Sequence, residues 1–595
     1  MRNVTRVGVI TMTIPNPIQP QVHRAVPEAA PPRSEWRSLL LMTGIFLGVM
    51  LVICLHRYFT YYASYDQGLF NQIFWNNLHG RWFQSSLTSA NSVAVLADKE
   101  IPIVNFVHFG QHFVPTFLLW LPLYAILPHP ATLIGLQVVL MAAGGVALYF
   151  LARHHLDVKL SQLITASYFG AIAVVAPTFA NFYEHCQFPL FTFGMLLALE
   201  KRRWWWFWGL VLLVLGIRED AGITLFGIGL LLLLSRRSPK VGAALCVLSF
   251  VYVAVVTNVV IMQFSHDNPR LYMSDRFQQF VPGNPAPSTL EVLWGMITHP
   301  VALVQTLFSP FHRRFFYLIG QWLPLAFIPA ISPATWVLTA PPLIALFAQS
   351  KFTALEISIR YAVAIVPGVF YGVILWWSQA AQRIGTPRPE GWRQLGWTWR
   401  YRQLSPRFRQ FWVVCLVISV GYSVVTNPNQ AFYFLIPDSI RPWVMVTLPE
   451  QWHRTGIMNR MVREVSTEAS VSATTHLIPP LSSRRKIIRP PNLLLQDENG
   501  VVEEMDDVLL DFWRIERYMP ISQPDRRRME ILVPWVDKLM REKNYGIVDF
   551  EDKILLLRQG VPSNPVALAG WEAAKPELLA SLAKYPPRSR SAVND

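Results

Sequence analysis

Long apolar runs alternate with short polar links through residues 36–426 of the chain. A helix that crosses the hydrocarbon of a membrane needs about 20 residues, and somewhat fewer where the protein is locally thin. On that criterion the sequence predicts about eleven transmembrane helices. Their apolar runs are 36–56, 131–152, 160–182, 187–199, 204–217, 221–235, 241–263, 315–331, 334–348, 362–379 and 411–426.

A shorter apolar run at 113–127 lies between prolines and is predicted to be a half-buried juxtamembrane helix. A twelfth span is the alternative, but it would place the basic links on the outer side. The run belongs to a long, aromatic outer loop at about 57–130. A second outer loop at about 264–314 contains an amphipathic segment at 288–299.

Basic residues in the short links set the predicted orientation, because cytoplasmic loops carry an excess of Lys and Arg. The tail 1–35 lacks a compact apolar core with a cleavage site, so it is interpreted as a retained cytoplasmic segment. One basic stretch, His312-Arg313-Arg314, is assigned outside, and a role in binding is one explanation for it. The cytoplasmic links are Arg153-His154-His155, Lys201-Arg202-Arg203, 236–240 and 380–410, the last with seven Arg and one Glu.

Composition supports a membrane protein. Apolar residues make up 52% and charged residues 15%, against roughly 25% charged in a soluble domain. The 22 Trp and 36 Phe fit aromatic belts at the bilayer interfaces. A net charge of +15 is typical of nucleic-acid binding, but the basic residues cluster in the short links. The predicted partner is therefore the membrane and not nucleic acid.

From about residue 427 the composition becomes that of a soluble domain. Strands are predicted at 471–474 and 508–510, an amphipathic helix at 526–543, and a hairpin from 545–548 and 554–557. The predicted fold is thus a polytopic α-helical membrane domain, 36–426, followed by a small extracytoplasmic α/β domain, 427–595.

Ionisable groups near transmembrane depth are functional candidates, because they are expensive there. The spans 204–217 and 221–235 cover only about 21–23 Å of a hydrocarbon core near 30 Å. The charged residues that join them should therefore lie below the outer membrane surface. The predicted outer-side candidates are Asp66, Glu184, His185, Arg218, Glu219 and Asp220.

Each candidate also has a structural interpretation. Asp66 is compatible with a helix cap, and Glu184-His185 is compatible with a loop that ends a helix. The residues 218–220 are compatible with an internally paired ion cluster. Arg360-Tyr361 is compatible with an interfacial anchor. His108 and His112 lack the neighbouring ligands of a zinc site. The sequence contains no P-loop, no Rossmann glycine pattern and no GxSxG, so nucleotide-driven transport and serine hydrolysis find no support.

Several of these motifs resemble a bacterial family of predicted membrane proteins, the domain of unknown function numbered 2079, over about 45–560. The chain departs from the family pattern at Ser483, near a position where histidine is frequent, and at Arg218, where lysine is common. The matching motifs are 65–72 (YDQGLFNQ), His112 with Pro115, Glu184-His185 with Pro189, 218–220, Arg360-Tyr361, 479–486 and 507–511.

That family in turn resembles the GT-C glycosyltransferases, multi-span enzymes that use lipid-linked sugar donors. The resemblance implies that Asp66 and Glu184 are catalytic, with Asp66 the base of an inverting transfer to an extracytoplasmic acceptor. Acidic side chains of the cluster would hold Arg and His in place or share a divalent cation. A transporter or a non-catalytic membrane scaffold is the alternative. The predicted substrate-binding residues are His112, His185, Arg218, Glu219, Asp220, Arg360 and Tyr361.

Overall fold

A computed structural model describes residues 33–97, 99–265, 268–378, 404–425 and 444–587. The predicted tail 1–35 and the basic stretch 380–410 lie largely outside this part of the chain.

Helices make up the portion that precedes residue 426. In chain order they are α1 Arg33–Phe59, α2 Tyr65–Leu78, α3 Ser86–Ala90, α4 Val93–Ala97, α5 Phe117–Ile126, α6 Pro130–His155, α7 Val158–Phe169, α8 Ile172–Thr178, α9 Phe188–Glu200, α10 Trp204–Leu215, α11 Ala221–Leu234, α12 Pro239–Val255, α13 Asn268–Phe277, α14 Thr289–Thr298, α15 Pro300–Phe308, α16 Phe311–Trp322, α17 Ile328–Ile331, α18 Pro333–Phe347, α19 Val366–Trp377 and α20 Pro406–Val425.

Each predicted apolar run contains a helix, but only some helices are long enough to cross a membrane. Among the described residues, four have the length and hydropathy of a span. The helices α7 and α8 add a fifth if this pair, bent by 44°, is one span. A helical membrane protein with four to five candidate spans is therefore confirmed, and eleven crossings stay a prediction. The four are Glu35–Phe59, Pro130–His155, Pro239–Gln263 and Arg360–Trp377.

Two of the predicted spans are broken for identifiable reasons. Between α7 and α8, a Cβ on Gly170 would lie 2.5 Å from the Cδ1 atom of Leu416 in α20. The break thus coincides with a close approach of α20. Between α16 and α17, Ala326 and Phe327 have φ of 51° and 62°, a left-handed conformation that interrupts a helix. Length in the sequence did not reveal either break.

The apolar run 113–127 forms α5, which is half-buried as predicted. Phe117 and Tyr124 are buried, whereas Leu119, Leu123 and Ile126 are exposed. Its 10 residues extend only about 15 Å, half of the hydrocarbon thickness. The helix is too short to be a span by itself.

Part of the basic stretch at 312–314 has a structural role. Arg314 is buried, and its guanidinium donates hydrogen bonds to the carbonyl oxygens of Ser309 and, at 2.8 Å, Phe347. The binding role considered for this stretch therefore does not extend to Arg314. His312 and Arg313 are exposed.

The C-terminal portion is an α/β domain with its own apolar core. The elements are α21 Leu448–Glu464, β1 Val471–Ala473, α22 Ile478–Leu481, β2 Ile487–Ile488, β3 Leu494–Gln496, β4 Val502–Glu504, β5 Asp507–Asp511, α23 Phe512–Tyr518, α24 Gln523–Glu542, β6 Tyr545–Glu551, β7 Ile554–Gln559 and α25 Pro565–Lys584.

Among the residues that the structure describes, five strands form the main sheet in the order β2-β1-β5-β7-β6. The strands β2, β1 and β5 are parallel, and β7 is antiparallel to both β5 and β6. The structure contains the predicted strands. It also contains the predicted helix, which is α24, and the predicted terminal hairpin, which is β6–β7. A separate antiparallel pair, β3–β4, borders the first outer loop, where the Val104 amide donates to the Gln496 carbonyl at 2.9 Å.

Candidate functional site

A buried ion cluster lies where α10 gives way to α11. The guanidinium of Arg218 donates from Nη1 to Oε1 of Glu184 at 3.3 Å and from Nε to Oε1 of Glu219 at 3.1 Å. Its Nε also lies 3.6 Å from Oδ1 of Asp220. Arg218 and Glu184 are buried, whereas Asp220 is partly exposed. The cluster thus extends from the protein interior towards solvent, as the short flanking helices predicted.

The segment 57–130, predicted to be the first outer loop, is held against this cluster by Glu219. Its Oε1 lies 2.9 Å from Nδ1 of His112, and its Oε2 accepts a hydrogen bond from the Phe113 amide at 3.1 Å. Nε2 of His112 is 3.5 Å from Nη2 of Arg218. His112, which the sequence assigns to substrate binding, therefore joins the loop to the cluster.

Glu184 and His185 form a 3-10 turn, Glu184–Gln187, ahead of α9. Nδ1 of His185 is 3.2 Å from Oε1 of Glu184, close enough for attraction but without the alignment of a hydrogen bond. Within the described residues, Oε2 of Glu184 and Nδ1 of His185 are buried without a hydrogen-bond partner. Buried polar atoms without partners are rare in folded proteins and often occur at functional sites.

Asp66 and Arg360 form the more exposed part of the site. Asp66 lies in the first turn of α2, where the positive end of a helix favours a carboxylate. Its Oδ2 accepts from Nη1 of Arg360 at 3.2 Å, and the two side chains are 32% and 21% exposed. The pair is thus within reach of a solute in a way that Arg218 is not.

Aromatic rings connect the exposed pair to the buried cluster. The Cζ atoms of Arg360 and Arg218 lie 5.1 and 5.8 Å from the centre of the Tyr361 ring. The His185 ring meets the Tyr361 ring edge-on, with centres 5.8 Å apart. A cation over an aromatic face is attracted to it. The nine residues predicted from the sequence therefore form one connected group.

One aromatic member was not predicted. The centre of the Tyr183 ring lies 4.5 Å from Cζ of Arg360, and the ring attracts that guanidinium. In the sequence, the position of Tyr183 directly before Glu184 is the feature that indicates a place in the site. A tyrosine at a helix end is more often an interfacial anchor, however.

Charges within the cluster are strongly coupled. Burial alone would raise the pKa of Glu184, but His185 and Arg218 hold it well below its ordinary value. Glu219 follows the same pattern, since His112 and Arg218 outweigh its burial and lower its pKa. Burial lowers the pKa of His185 despite the neighbouring Glu184. The site contains four carboxylates and two guanidinium groups and therefore has a formal charge of −2. These groups belong to Asp66, Glu184, Glu219, Asp220, Arg218 and Arg360.

The carboxylates of the cluster face Arg218 rather than one another. In the part of the chain that the structure describes, no group of three or more His, Cys, Asp or Glu side chains has the arrangement of a metal site. Of the two roles considered for Glu184, Glu219 and Asp220, the observed contacts match the one in which they hold arginine and histidine in place.

Much of the motif 65–72 contacts the C-terminal domain. A Cβ on Gly68 would lie 2.6 Å from Cγ2 of Ile478, so glycine permits this close approach. The Asn71 amide donates to Oγ of Ser482 at 2.9 Å and of Ser483 at 3.1 Å. Gln72 donates to the carbonyl oxygens of 484 and 485, each at 3.0 Å. The motif therefore serves two purposes, with Asp66 at the site and the following turns at the domain interface.

Comparison with known proteins agrees with this organisation. A family model described as predicted membrane protein, DUF2079, matches residues 57–556. The chain belongs to the DUF2079 family. The family's description identifies a membrane protein and names no activity. A search of curated proteins returns no match.

The matched range begins in the last turn of α1 and includes every candidate site residue as well as most of the C-terminal domain. One departure from the expected DUF2079 pattern, Ser483, lies at the interface with α2 and not among the charged groups. The other, Arg218, has its planar guanidinium between acidic partners on two sides, a geometry that a lysine ammonium cannot reproduce.

Proposed function

We propose that this DUF2079 protein is a membrane glycosyltransferase that moves a sugar from a polyprenyl-phosphate-linked donor to an extracytoplasmic acceptor. One observation carries the proposal: a partly exposed carboxylate, Asp66, is paired with Arg360, and the Tyr361 ring connects that pair to a buried network of acids and Arg218. Acid and guanidinium side by side suit a reaction that both removes a proton and stabilises a departing phosphate.

In this proposal the reaction is an inverting displacement. The acceptor hydroxyl attacks the anomeric carbon while the Asp66 carboxylate takes the hydroxyl proton. A new C–O bond forms to the acceptor as the C–O bond to the donor phosphate breaks, and the polyprenyl phosphate leaves with the electron pair. Positive charge develops on the sugar in such transition states, and the formal charge of −2 in the cluster favours it.

The two arginines receive different roles. Arg360 is partly exposed and has one carboxylate partner within the described residues, so it is the proposed contact for the leaving phosphate. Arg218 is buried and engaged by three acids, and we assign it a positioning role. Glu184 is buried as well, and in this proposal it orients Arg218 and the turn that carries His185.

The proposed topology has eleven crossings, with the N-terminus in the cytoplasm and the C-terminal domain outside. The basic links support this orientation, because Lys and Arg are retained on the cytoplasmic side. Reporter fusions after residue 240 and after residue 430 are expected to report cytoplasm and exterior, respectively. A cytoplasmic report from the fusion after 430 would contradict the topology.

The transferase proposal is tested with the full chain in lipid nanodiscs. A panel of polyprenyl-phosphate hexoses is supplied together with a mixture of cell-envelope glycan acceptors, and sugar transfer is followed by mass spectrometry. Transfer with inversion at the anomeric carbon is the expected result. Binding of these donors without transfer, or their movement across vesicles without bond cleavage, would favour the scaffold or transporter alternative.

Substitution of Arg360 is expected to affect donor use selectively. Arg360→Lys keeps the charge but loses the planar fork, so KM for the donor should rise on the order of 10-fold. Arg360→Gln removes the charge as well and should reduce kcat/KM on the order of 100-fold or more. Steady-state kinetics with the donor that transfers best provide the measurement. The control is Arg541→Lys on the exposed surface of α24, and equal losses in the Arg360 and Arg541 variants would contradict the assignment.

A further inference from the structure

Two consecutive helices of the second outer loop, α14 and α15, present apolar side chains to the outside of the protein. Between 39% and 69% of the surface of these side chains is exposed. The face is large for a water-exposed surface, where contiguous apolar patches are usually small and functional. Its members are Leu290, Leu293, Trp294, Ile297, Val301, Val304 and Phe308.

The opposite face of α14 is also apolar. Val292 and Met296 pack against Phe280, and a Cβ on Gly295 would lie 2.2 Å from the Phe280 carbonyl oxygen, so the helix backbone touches this residue. A helix that is apolar on all sides is stable where protein lies on one side and hydrocarbon on the other. The sequence had indicated an amphipathic segment here, and the structure shows that both faces need an apolar neighbour.

Neither helix is long enough to cross the bilayer. With 10 and 9 residues, α14 and α15 extend only about 15 and 14 Å, against a hydrocarbon core near 30 Å. The start of α14 is polar, because Ser288 and Glu291 form a reciprocal capping box. A short helix with one polar end and an apolar outer face is typical of a segment that lies within one leaflet.

The preceding helix, α13, connects these two helices to the candidate site. Tyr272 of α13 is within electrostatic reach of Tyr361, Arg218 and Asp220. At the other end of α13, Phe277 belongs to the same apolar cluster as the inner face of α14. The helix α13 therefore packs against the inner face of α14 and carries a residue within electrostatic reach of the charged cluster.

We propose that α14 and α15 lie in the outer leaflet of the membrane and bind the isoprenoid chain of the lipid-linked donor. The donor phosphate then enters the site past α13, towards Arg360. Placement within one leaflet stands on the exposed faces, the outer side rests on the proposed topology, and the choice of lipid rests on the proposed transferase function.

The leaflet placement is tested by spin labels at three exposed isoleucines, each changed to cysteine in a full-length chain whose four cysteines are replaced by alanine. Ile45 on α1, Ile297 on α14 and Ile531 on α24 are 58%, 69% and 48% exposed. In nanodiscs, the spin label at Ile297→Cys is expected to be accessible to oxygen and inaccessible to a nickel chelate. The label at Ile45→Cys should show the same accessibilities. A response like that at Ile531→Cys, which should be aqueous, would overturn the placement. Poor access to both reagents would indicate a protein neighbour and would overturn it as well.

The choice of lipid is tested with donors of different chain length. Trp294→Glu combined with Ile297→Glu should raise KM for a long-chain polyprenyl-phosphate hexose about 10-fold or more, because two apolar contacts with lipid are lost. In the same double variant, KM for a water-soluble citronellyl-phosphate hexose should change less than about 2-fold. In the control Ile531→Glu, KM for each of the two donors should also change less than about 2-fold. Equal losses with the two donors would overturn the assignment of the isoprenoid chain. An absence of transfer by the unaltered protein with every donor would overturn the transferase function, while the spin labels would still decide the placement.

Discussion

Arg218→Ala is expected to destabilise the protein by about 3–5 kcal/mol, because it removes the cation from a buried set of acids. Glu184 and Glu219 would keep their charges without the guanidinium that now lies 3.3 and 3.1 Å from their oxygens. Arg218→Lys should cost less, since an ammonium retains the charge but cannot bridge two carboxylates in one plane. Thermal unfolding of the purified protein in nanodiscs gives the measurement.

Arg460 provides a control with similar partners in a different environment. It also pairs with three acids, Asp549, Glu551 and Glu464, but its side chain is 45% exposed. Exposed ion pairs contribute only about 0–1 kcal/mol, so Arg460→Ala should shift the unfolding temperature little. If Arg218→Ala unfolded no more easily than Arg460→Ala, the buried-cluster interpretation would be wrong.

Two further variants separate a positioning role of Arg218 from a direct contact of Arg218 with the donor. Arg218→Met combined with Glu184→Gln and Glu219→Gln removes the buried charges, leaves only the partly exposed Asp220 without a cation, and should recover most of the lost stability. If Arg218 acts only through its neighbours, donor binding per folded molecule should survive in Arg218→Lys. A selective loss of donor binding in Arg218→Lys, with folding intact, would instead assign the phosphate contact to Arg218.

The sequence was a good guide wherever the relevant pattern was local. Apolar runs located the helices, and the polar turn between 545–548 and 554–557 located the β6–β7 hairpin. The lengths of 204–217 and 221–235 predicted a sheltered position for Arg218, because a helix rises a fixed distance per residue, and Arg218 is buried. Local pattern did not reveal the break at Gly170, where α20 approaches closely, or the break at Ala326, where the backbone is left-handed.

Contacts between distant segments were beyond the reach of sequence reasoning. Asp66 and Arg360 are separated by 294 positions, and nothing in either segment indicates that they pair. The rest of the 65–72 motif looked like part of a catalytic signature, yet Asn71 and Gln72 use their amides at the domain interface. A polar motif in an outer loop can serve either purpose, and only the fold distinguishes them.

Asp66→Asn is expected to reduce sugar transfer about 10²–10⁴-fold while leaving the fold intact. Asparagine keeps the shape of aspartate and can still accept a hydrogen bond from Arg360, but it cannot take the proton of the acceptor hydroxyl. Arg360 loses its carboxylate partner in this variant, but the Arg360 and Asp66 side chains are 21% and 32% exposed, so the unpaired charge is not fully buried. The matched control is Asp537→Asn, since Asp537 is 25% exposed and pairs with Lys575 at 2.6 Å in the C-terminal domain.

Transfer per folded molecule in Asp66→Asn, measured beside Asp537→Asn in nanodiscs, tests the central claim most directly. The account predicts a loss of at least about 100-fold in kcat for the first variant, normal kinetics for the second, and unchanged unfolding temperatures in both. Near-normal transfer by Asp66→Asn would contradict it.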